Sequence, residues 1–196
     1  VRDWLKARLA RGEAWSLAGY SLGARLAFEA LVAGLGPEVS AHLLAPGGVV
    51  EPGAAERSAR AARDADWATA FRAEAWPSLW RRWNAQAIFA NDAPEERHEA
   101  DFDRARLSEA LLLWSVSRQR PLSARLHEIS GPLELLVGDR DGSLRKTWEV
   151  ALANDGARVA FRVVEGAGHR LHRHVAPRSE GAKILFREMT IASRPR

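Results

Sequence analysis

Three short stretches hold residue types that can do chemistry together. In LAGYSLGARLAFEAL, Ser21 sits between Gly19 and Gly23 in the pattern G-x-S-x-G. In GDRDG the acids Asp139 and Asp141 follow an apolar run, and in GAGH the imidazole of His169 follows Gly166 and Gly168. A serine hydroxyl reacts poorly until a neutral imidazole takes its proton, and histidine does this near neutral pH because its ordinary pKa is about 6.5. A carboxylate behind the imidazole fixes its tautomer and stabilises the imidazolium that forms. The residue types therefore suit nucleophilic or proton-transfer chemistry, with Ser21 as the reactive oxygen, His169 as the base and an aspartate behind it. Asp141 is preferred to Asp139 because it lies further beyond its strand and reaches across towards the next loop. Asp139 then reads as a turn residue bonded to local backbone. The amide of Leu22, next after the serine and at a helix N-terminus, is the candidate donor to a developing oxyanion.

These side chains need a scaffold that lifts them to one place. Residues 14 to 18 form a short, mostly apolar run fit for a buried strand, and Leu26, Ala27, Ala30 and Leu31 recur at helical spacing over 22 to 34. Ser21 thus falls on a strand-to-helix turn, where small neighbours let the chain turn sharply. A second strand, VSAHLLAP over 39 to 46, completes a parallel βαβ unit. A helix over 2 to 11 precedes it. From 54 to 127 the pattern is helical, with Trp67, Trp76, Trp80, Trp83 and Trp114 supplying apolar faces. Trp76, Trp80 and Trp83 fall at i, i+4 and i+7, the spacing of one packed helix face. The α/β rhythm resumes at Leu133 to Val137 after Gly131 and Pro132. A helix over 144 to 154, a strand over 158 to 164 and a final helix over 175 to 187 follow. The expected organisation is an α/β core of residues 1–53 and 128–196, with four parallel strands and a helical cap of residues 54–127. The loops bearing Asp141 and His169 leave the last two strands at their C-terminal ends, where open α/β sheets place their sites.

Composition narrows the function classes. A chain of 196 residues that is 46% hydrophobic can bury one good core, and it contains no cysteine, which excludes disulfides, thiolate metal sites and a cysteine nucleophile. No apolar run approaches the roughly 20 residues that span a bilayer, and VRDWLKARLARGEAW reads as an arginine-bearing helix rather than a signal peptide. A cytoplasmic protein that engages no membrane is expected. The net charge of +4 is spread along the chain, lysine occurs only at Lys6, Lys146 and Lys183, and many arginines stand beside acids. This pattern describes solvated helix faces rather than a nucleic-acid footprint. Arginine also suits a polycarboxylate, because its planar fork pairs bidentately with carboxylates. His169, His172 and His174 lack a supporting acidic or cysteine ligand at metal-binding spacing, so no metal site is expected.

The order Ser, Asp, His with GYSLG, GDRD and GAGH resembles the α/β-hydrolase superfamily. Within it, the chain is similar to the 2-succinyl-6-hydroxy-2,4-cyclohexadiene-1-carboxylate synthases of menaquinone biosynthesis. GYSLGAR resembles that family's GYSLGGR, whose arginine contacts a substrate carboxylate and corresponds to Arg25. WNAQAIFA resembles its W-x-x-Q-P-x-F-A, which places Trp83 and Phe89 in a pocket-lining helix, with Ala87 replacing the proline. Arg104, 15 positions after Phe89, stands where the family carries another substrate-binding arginine. GAGHRLHRHVAP is similar to AGH-x-x-H-x-E-x-P, with His174 in place of the glutamate. Tyr20, beside the serine, either lines the pocket or packs.

The resemblance implies an α/β-hydrolase fold that is N-terminally truncated, because it covers about the last three quarters of a family member. The first strands and the His-Gly loop carrying a second oxyanion donor have no counterpart ahead of Ser21. It also implies a small-molecule carboxylate or ester substrate, no cofactor, and a lyase reaction eliminating pyruvate. A carboxylesterase working by acyl transfer is the alternative. The strand at 14 to 18 would be internal in the complete sheet, so one of its sides is expected to be open. Such an edge invites a homodimer, or an inactive fragment that associates through it.

Overall fold

Short apolar runs bounded by turn residues become the strands, and the segments at helical spacing become the layers on them. The computed structural model describes residues 15–35, 39–153, 159–175 and 183–186. In chain order these give β1 (Trp15–Tyr20), α1 (Leu22–Val32), β2 (Val39–Leu44), α2 (Ala54–Ala73), α3 (Trp76–Asn84), α4 (Arg104–Leu113), β3 (Leu133–Gly138), α5 (Gly142–Leu152), β4 (Val159–Val164) and β5 (Lys183–Phe186). Short 3-10 turns punctuate the segments between them. The chain divides into two units, one holding the described residues within 1–50 and 121–188, the other those within 51–120. No helix among the described residues is long and apolar enough to cross a membrane.

The first unit is a parallel sheet in the order β4-β3-β2-β1-β5. Strand alternation gives it two unlike faces. Leu17, Ala41, Leu43, Leu135 and Val137 point to one face, where Ala24, Ala27, Phe28 and Leu31 of α1 and Trp148 of α5 join them in a single core. Trp148 is fully buried, and its indole N–H donates to the Pro46 carbonyl at 2.9 Å, tying α5 to the segment after β2. The opposite face carries polar pairs between neighbouring strands. Ser16 and Ser40 share a hydroxyl hydrogen bond of 2.6 Å, and Glu134 takes His42 at 2.7 Å and Arg162 at 3.1 Å.

Behind α1, the guanidinium of buried Arg125 forks onto the Glu29 carboxylate at 2.5 and 3.2 Å, also reaches Glu128 at 3.3 Å, and stacks over Phe28. The hydrogen bonds that Arg125 donates to Glu29 push its pKa above its already high ordinary value, against burial, which pulls it down; Glu128 adds to the rise.

The second unit has its own core. Phe71 of α2, Trp76 and Leu79 of α3, and Leu107 of α4 are buried together, with Trp67, Trp80, Trp83 and Phe102 packed against them. The Trp76 and Trp80 rings stack at 5.5 Å and 5°, so the i, i+4, i+7 face is packing, as its spacing predicts. The indole of Trp76 donates to the Arg97 carbonyl at 2.7 Å, that of Trp80 donates to Glu95, and Asn84 pairs with the Glu95 backbone in both directions. These bonds fasten the segment after α3 along that helix.

Two expectations change, and a third is not reached by the described residues. The helix over 2 to 11 lies outside the described residues. Part of the final helix expected over 175 to 187 is instead β5, which pairs in parallel with β1 over Trp15 to Ala18. The side of β1 expected to stand open is therefore filled by the chain itself, and β5 rather than β1 is the terminal strand on that side of the described sheet. A strand's N–H and C=O groups need partners, and the apolar run KILF suits a strand as well as a helix, so pattern alone did not separate the two.

The Arg125 pair predicts a stability cost. A base whose folded pKa is raised stabilises fully below its unfolded pKa and loses that contribution only as pH rises through the folded value; for arginine both lie above any working pH. Arg125→Met should therefore lower the unfolding free energy by about 1.5–3 kcal/mol, by the same amount at pH 6 and pH 8, in urea titrations.

Candidate active site

The turn after β1 is built by close approach. Ser21 has φ 50° and ψ −111°, a left-handed conformation that costs a non-glycine residue of order 1–3 kcal/mol and persists only where surroundings impose it. The surroundings here are backbone. A Cβ on Gly19 would stand 2.3 Å from the Gly23 carbonyl oxygen, so the first turn of α1 sits directly on the end of β1. The Ser21 N–H donates across to the Leu44 carbonyl at 2.8 Å, which carries the β1–β2 ladder one residue past the strand.

A second close approach joins the other two loops. A Cβ on Gly138, the last residue of β3, would meet the carbonyl oxygens of Ala167 at 2.2 Å and Gly168 at 2.3 Å. The loop carrying His169 thus crosses immediately over the end of β3. Asp139 N–H donates to Val164 O and Arg140 N–H to Ala167 O, both at 3.0 Å, locking the two loops together.

The result is a hydrogen-bonded chain of three side chains. His169, almost wholly buried, meets Asp141 Oδ2 with Nδ1 at 2.7 Å and Ser21 Oγ with Nε2 at 3.1 Å. An ionised carboxylate only accepts, so Nδ1 carries the proton towards Asp141 and Nε2 is left to accept from the serine hydroxyl. Both end members occupy helix N-cap positions, Ser21 for α1 and Asp141 for α5, and neither makes the side-chain cap bond typical of such residues. Each forgoes a cap worth about 1 kcal/mol and turns its oxygen to the imidazole. Asp141 is therefore the aspartate brought to His169. Asp139 instead has one buried carboxylate oxygen with no hydrogen-bond partner, which differs from the turn-bonded role expected of it.

Tyr20 packs. Its ring lies 5.6 Å from the His169 ring and 4.5 Å from the His172 ring, centroid to centroid. The His172 contact was not foreseen; its signal in the sequence was a second histidine three residues after His169. Leu22 begins α1, with its amide at the first helical position beside Ser21. Arg25 is buried on the same helix, and its N–H donates to the Ser21 carbonyl at 3.2 Å.

The remaining expected site residues belong to the second unit. Trp83 and Phe89 are neighbours at 6.4 Å, and Trp83 also meets Trp67 at 5.0 Å and Phe71 at 5.2 Å. Arg104 departs from its expected role. Its Nε donates to Phe71 O at 2.5 Å, Nη2 to Ala70 O at 3.5 Å and to Glu74 O, and Nη1 to Glu99 at 2.8 Å. Those carbonyls lie at the C-terminal end of α2, where helical partners run out, so Arg104 caps α2 rather than presenting a fork to a substrate carboxylate.

No family model matches the chain. The 2-succinyl-6-hydroxy-2,4-cyclohexadiene-1-carboxylate synthases of Yersinia pseudotuberculosis and Yersinia pestis are 32% identical to it over 178 residues, covering 88% of this chain and 62% of theirs. The solved structure of MenH from S. aureus superposes with a TM-score of 0.72 at 20% identity, covering 88% of this chain and 68% of that one. The chain shares the fold of that structure, the α/β-hydrolase fold. A carboxylesterase structure from Nitrososphaera gargenis shares the α/β-hydrolase fold, with a TM-score of 0.55 at 11% identity over 87% of this chain and 64% of that one. The chain spans 62% of the length of the curated relatives it matches.

The crossing over Gly138 makes a prediction about this site. Gly138→Ala should push the His169 loop, cost about 1–3 kcal/mol in urea unfolding, and slow fluorophosphonate labelling of Ser21 about a hundredfold. Gly47→Ala, whose Cβ would meet nothing within 4 Å, should leave both measurements at wild-type values.

Proposed function

We propose that this chain is a synthase-like lyase that eliminates pyruvate from a succinyl cyclohexene polycarboxylate, the reaction that its resemblance to the synthases of menaquinone biosynthesis implies. The observation that carries the reading is the Ser21–His169–Asp141 hydrogen-bonded chain in a sequence 32% identical to those synthases.

In this reading the serine oxygen works as a base. His169 Nε2 takes the Ser21 proton while Oγ takes a proton from substrate carbon. The electron pair of the broken C–H bond becomes a ring double bond, and the C–O bond to the leaving group breaks. Pyruvate departs as its enolate and receives the proton from the His169 imidazolium, so the three side chains return to their starting state. Asp141 stabilises that imidazolium through Nδ1–H. The Leu22 amide, at the positive end of α1, offers one donor to the negative charge that develops. Arg25 supplies the guanidinium for a substrate carboxylate.

The commitment of the Arg104 donors to α2 favours a second reading. With one fewer guanidinium for a polycarboxylate, the same side chains suit a carboxylesterase that attacks a less charged ester by acyl transfer.

Pyruvate release from the polycarboxylate, followed beside hydrolysis of a neutral p-nitrophenyl ester, separates the two. The lyase reading expects pyruvate release that Ser21→Ala abolishes and Asp141→Asn lowers by about 10⁴-fold. It also expects Arg25→Ala to raise KM for the acidic substrate far more than for the ester. Ester turnover without pyruvate release would overturn it in favour of the esterase, and equal effects of Arg25→Ala on the two substrates would overturn the role of Arg25.

A further inference from the structure

Two hydrogen bonds do not fix the His169 ring fully. Contacts at Nδ1 and Nε2 hold the imidazole at two corners and leave its tilt about the line joining them to be set by packing. Tilt matters because it swings the Nε2 lone pair out of line with Ser21 Oγ, and a hydrogen bond weakens steeply with misalignment. The Tyr20 ring, tilted 54° to the imidazole at 5.6 Å, packs against His169.

Tyr20 is itself braced. It ends β1 and packs against a small core at this edge of the sheet, made of Leu44, Ala45, Leu136, Ala167 and Leu171. Leu171 is fully buried and opens a 3-10 turn over Leu171–Arg173; its N–H donates to the His169 carbonyl at 2.8 Å, and its carbonyl accepts from His174 and Val175. That turn delivers His172 onto the Tyr20 ring at 4.5 Å and 52°, a closer pair than Tyr20 makes with His169. Tyrosine has only two side-chain torsions, so a ring held on this side is held on the other as well.

We propose that His172 is a positioning residue which, through Tyr20, sets the tilt of the His169 imidazole towards Ser21. The inference rests on the reading of His169 as the base at Ser21, and it assigns work to the second histidine of GAGHRLH that neither the lyase nor the esterase reading uses. The contact that carries the proposal is ring on ring, so the proposal requires the His172 ring.

The test compares His172→Ala, which removes the ring, with His172→Phe, which keeps one, in the full chain. Two readouts are taken: the rate constant for fluorophosphonate labelling of Ser21, and the imidazole resonances of His169 in nitrogen-edited NMR spectra. Losing an aromatic pair should slow labelling about three- to tenfold and shift the His169 resonances in the alanine variant, and phenylalanine should restore both. Thermal unfolding of each variant separates a fold defect, which phenylalanine and alanine would share, from a change in tilt. Unshifted His169 resonances in His172→Ala, or a phenylalanine variant that behaves like alanine, would overturn the proposal. If the wild-type chain does not label at all, the base reading of His169 fails, and the resonance comparison still decides whether His172 sets the tilt.

Discussion

The arrangement depends on how closely backbone passes backbone at the C-terminal edge of the sheet. Gly19 under Gly23 and Gly138 under Ala167 and Gly168 are both positions where a single added carbon would overlap a carbonyl oxygen. Parallel register brings the ends of β1, β2, β3 and β4 to one edge, and the bonds Ser21 to Leu44, Ala45 to Leu136 and Asp139 to Val164 extend the pairing one residue past the strands. Each added bond fixes a loop at its root. The serine's left-handed backbone survives because this edge leaves it no other path.

On that edge, ordinary local chemistry is redirected. Serine and aspartate at helix N-caps normally bond their own helix. Here a buried imidazole between them competes for both side chains and wins, because it offers two charge-assisted or well-aligned bonds and is itself almost wholly buried. The helices lose local stabilisation and the site gains geometry. The same trade runs oppositely at Arg104, where a guanidinium that could have met a ligand is drawn to the carbonyls ending α2.

The two units find their cohesion differently. The sheet unit buries aliphatic side chains between strands and α1, with Trp148 and Arg125 as hydrogen-bonded anchors at its margins. The second unit, whose helices carry many charges, relies on aromatic rings, each large enough to bury substantial area from a short helix. Its tryptophans also spend their N–H groups on the backbone that follows α3, so the same residues supply packing and fasten a loop.

The sequence by itself determined the strands β1 to β4, the helices α1 and α5 to within a few residues, the helical character of 54–127 and the chain order Ser, Asp, His. These follow from short-range causes: apolar periodicity, turn-forming glycines and the packed spacing of Trp76, Trp80 and Trp83. Asp141 over Asp139 was also legible, from its distance beyond the strand. What only the tertiary structure decided involved partners remote in sequence. KILF became β5 because β1 had unpaired backbone beside it, a demand no local pattern records. Arg104 became a cap because α2 ends within its reach, and Tyr20 became a packed ring because His169 and His172 arrive on either contact from a loop some 150 positions away. Local preference selects what a segment can be; which donor, acceptor or ring it finally meets is fixed only when the sheet closes its register.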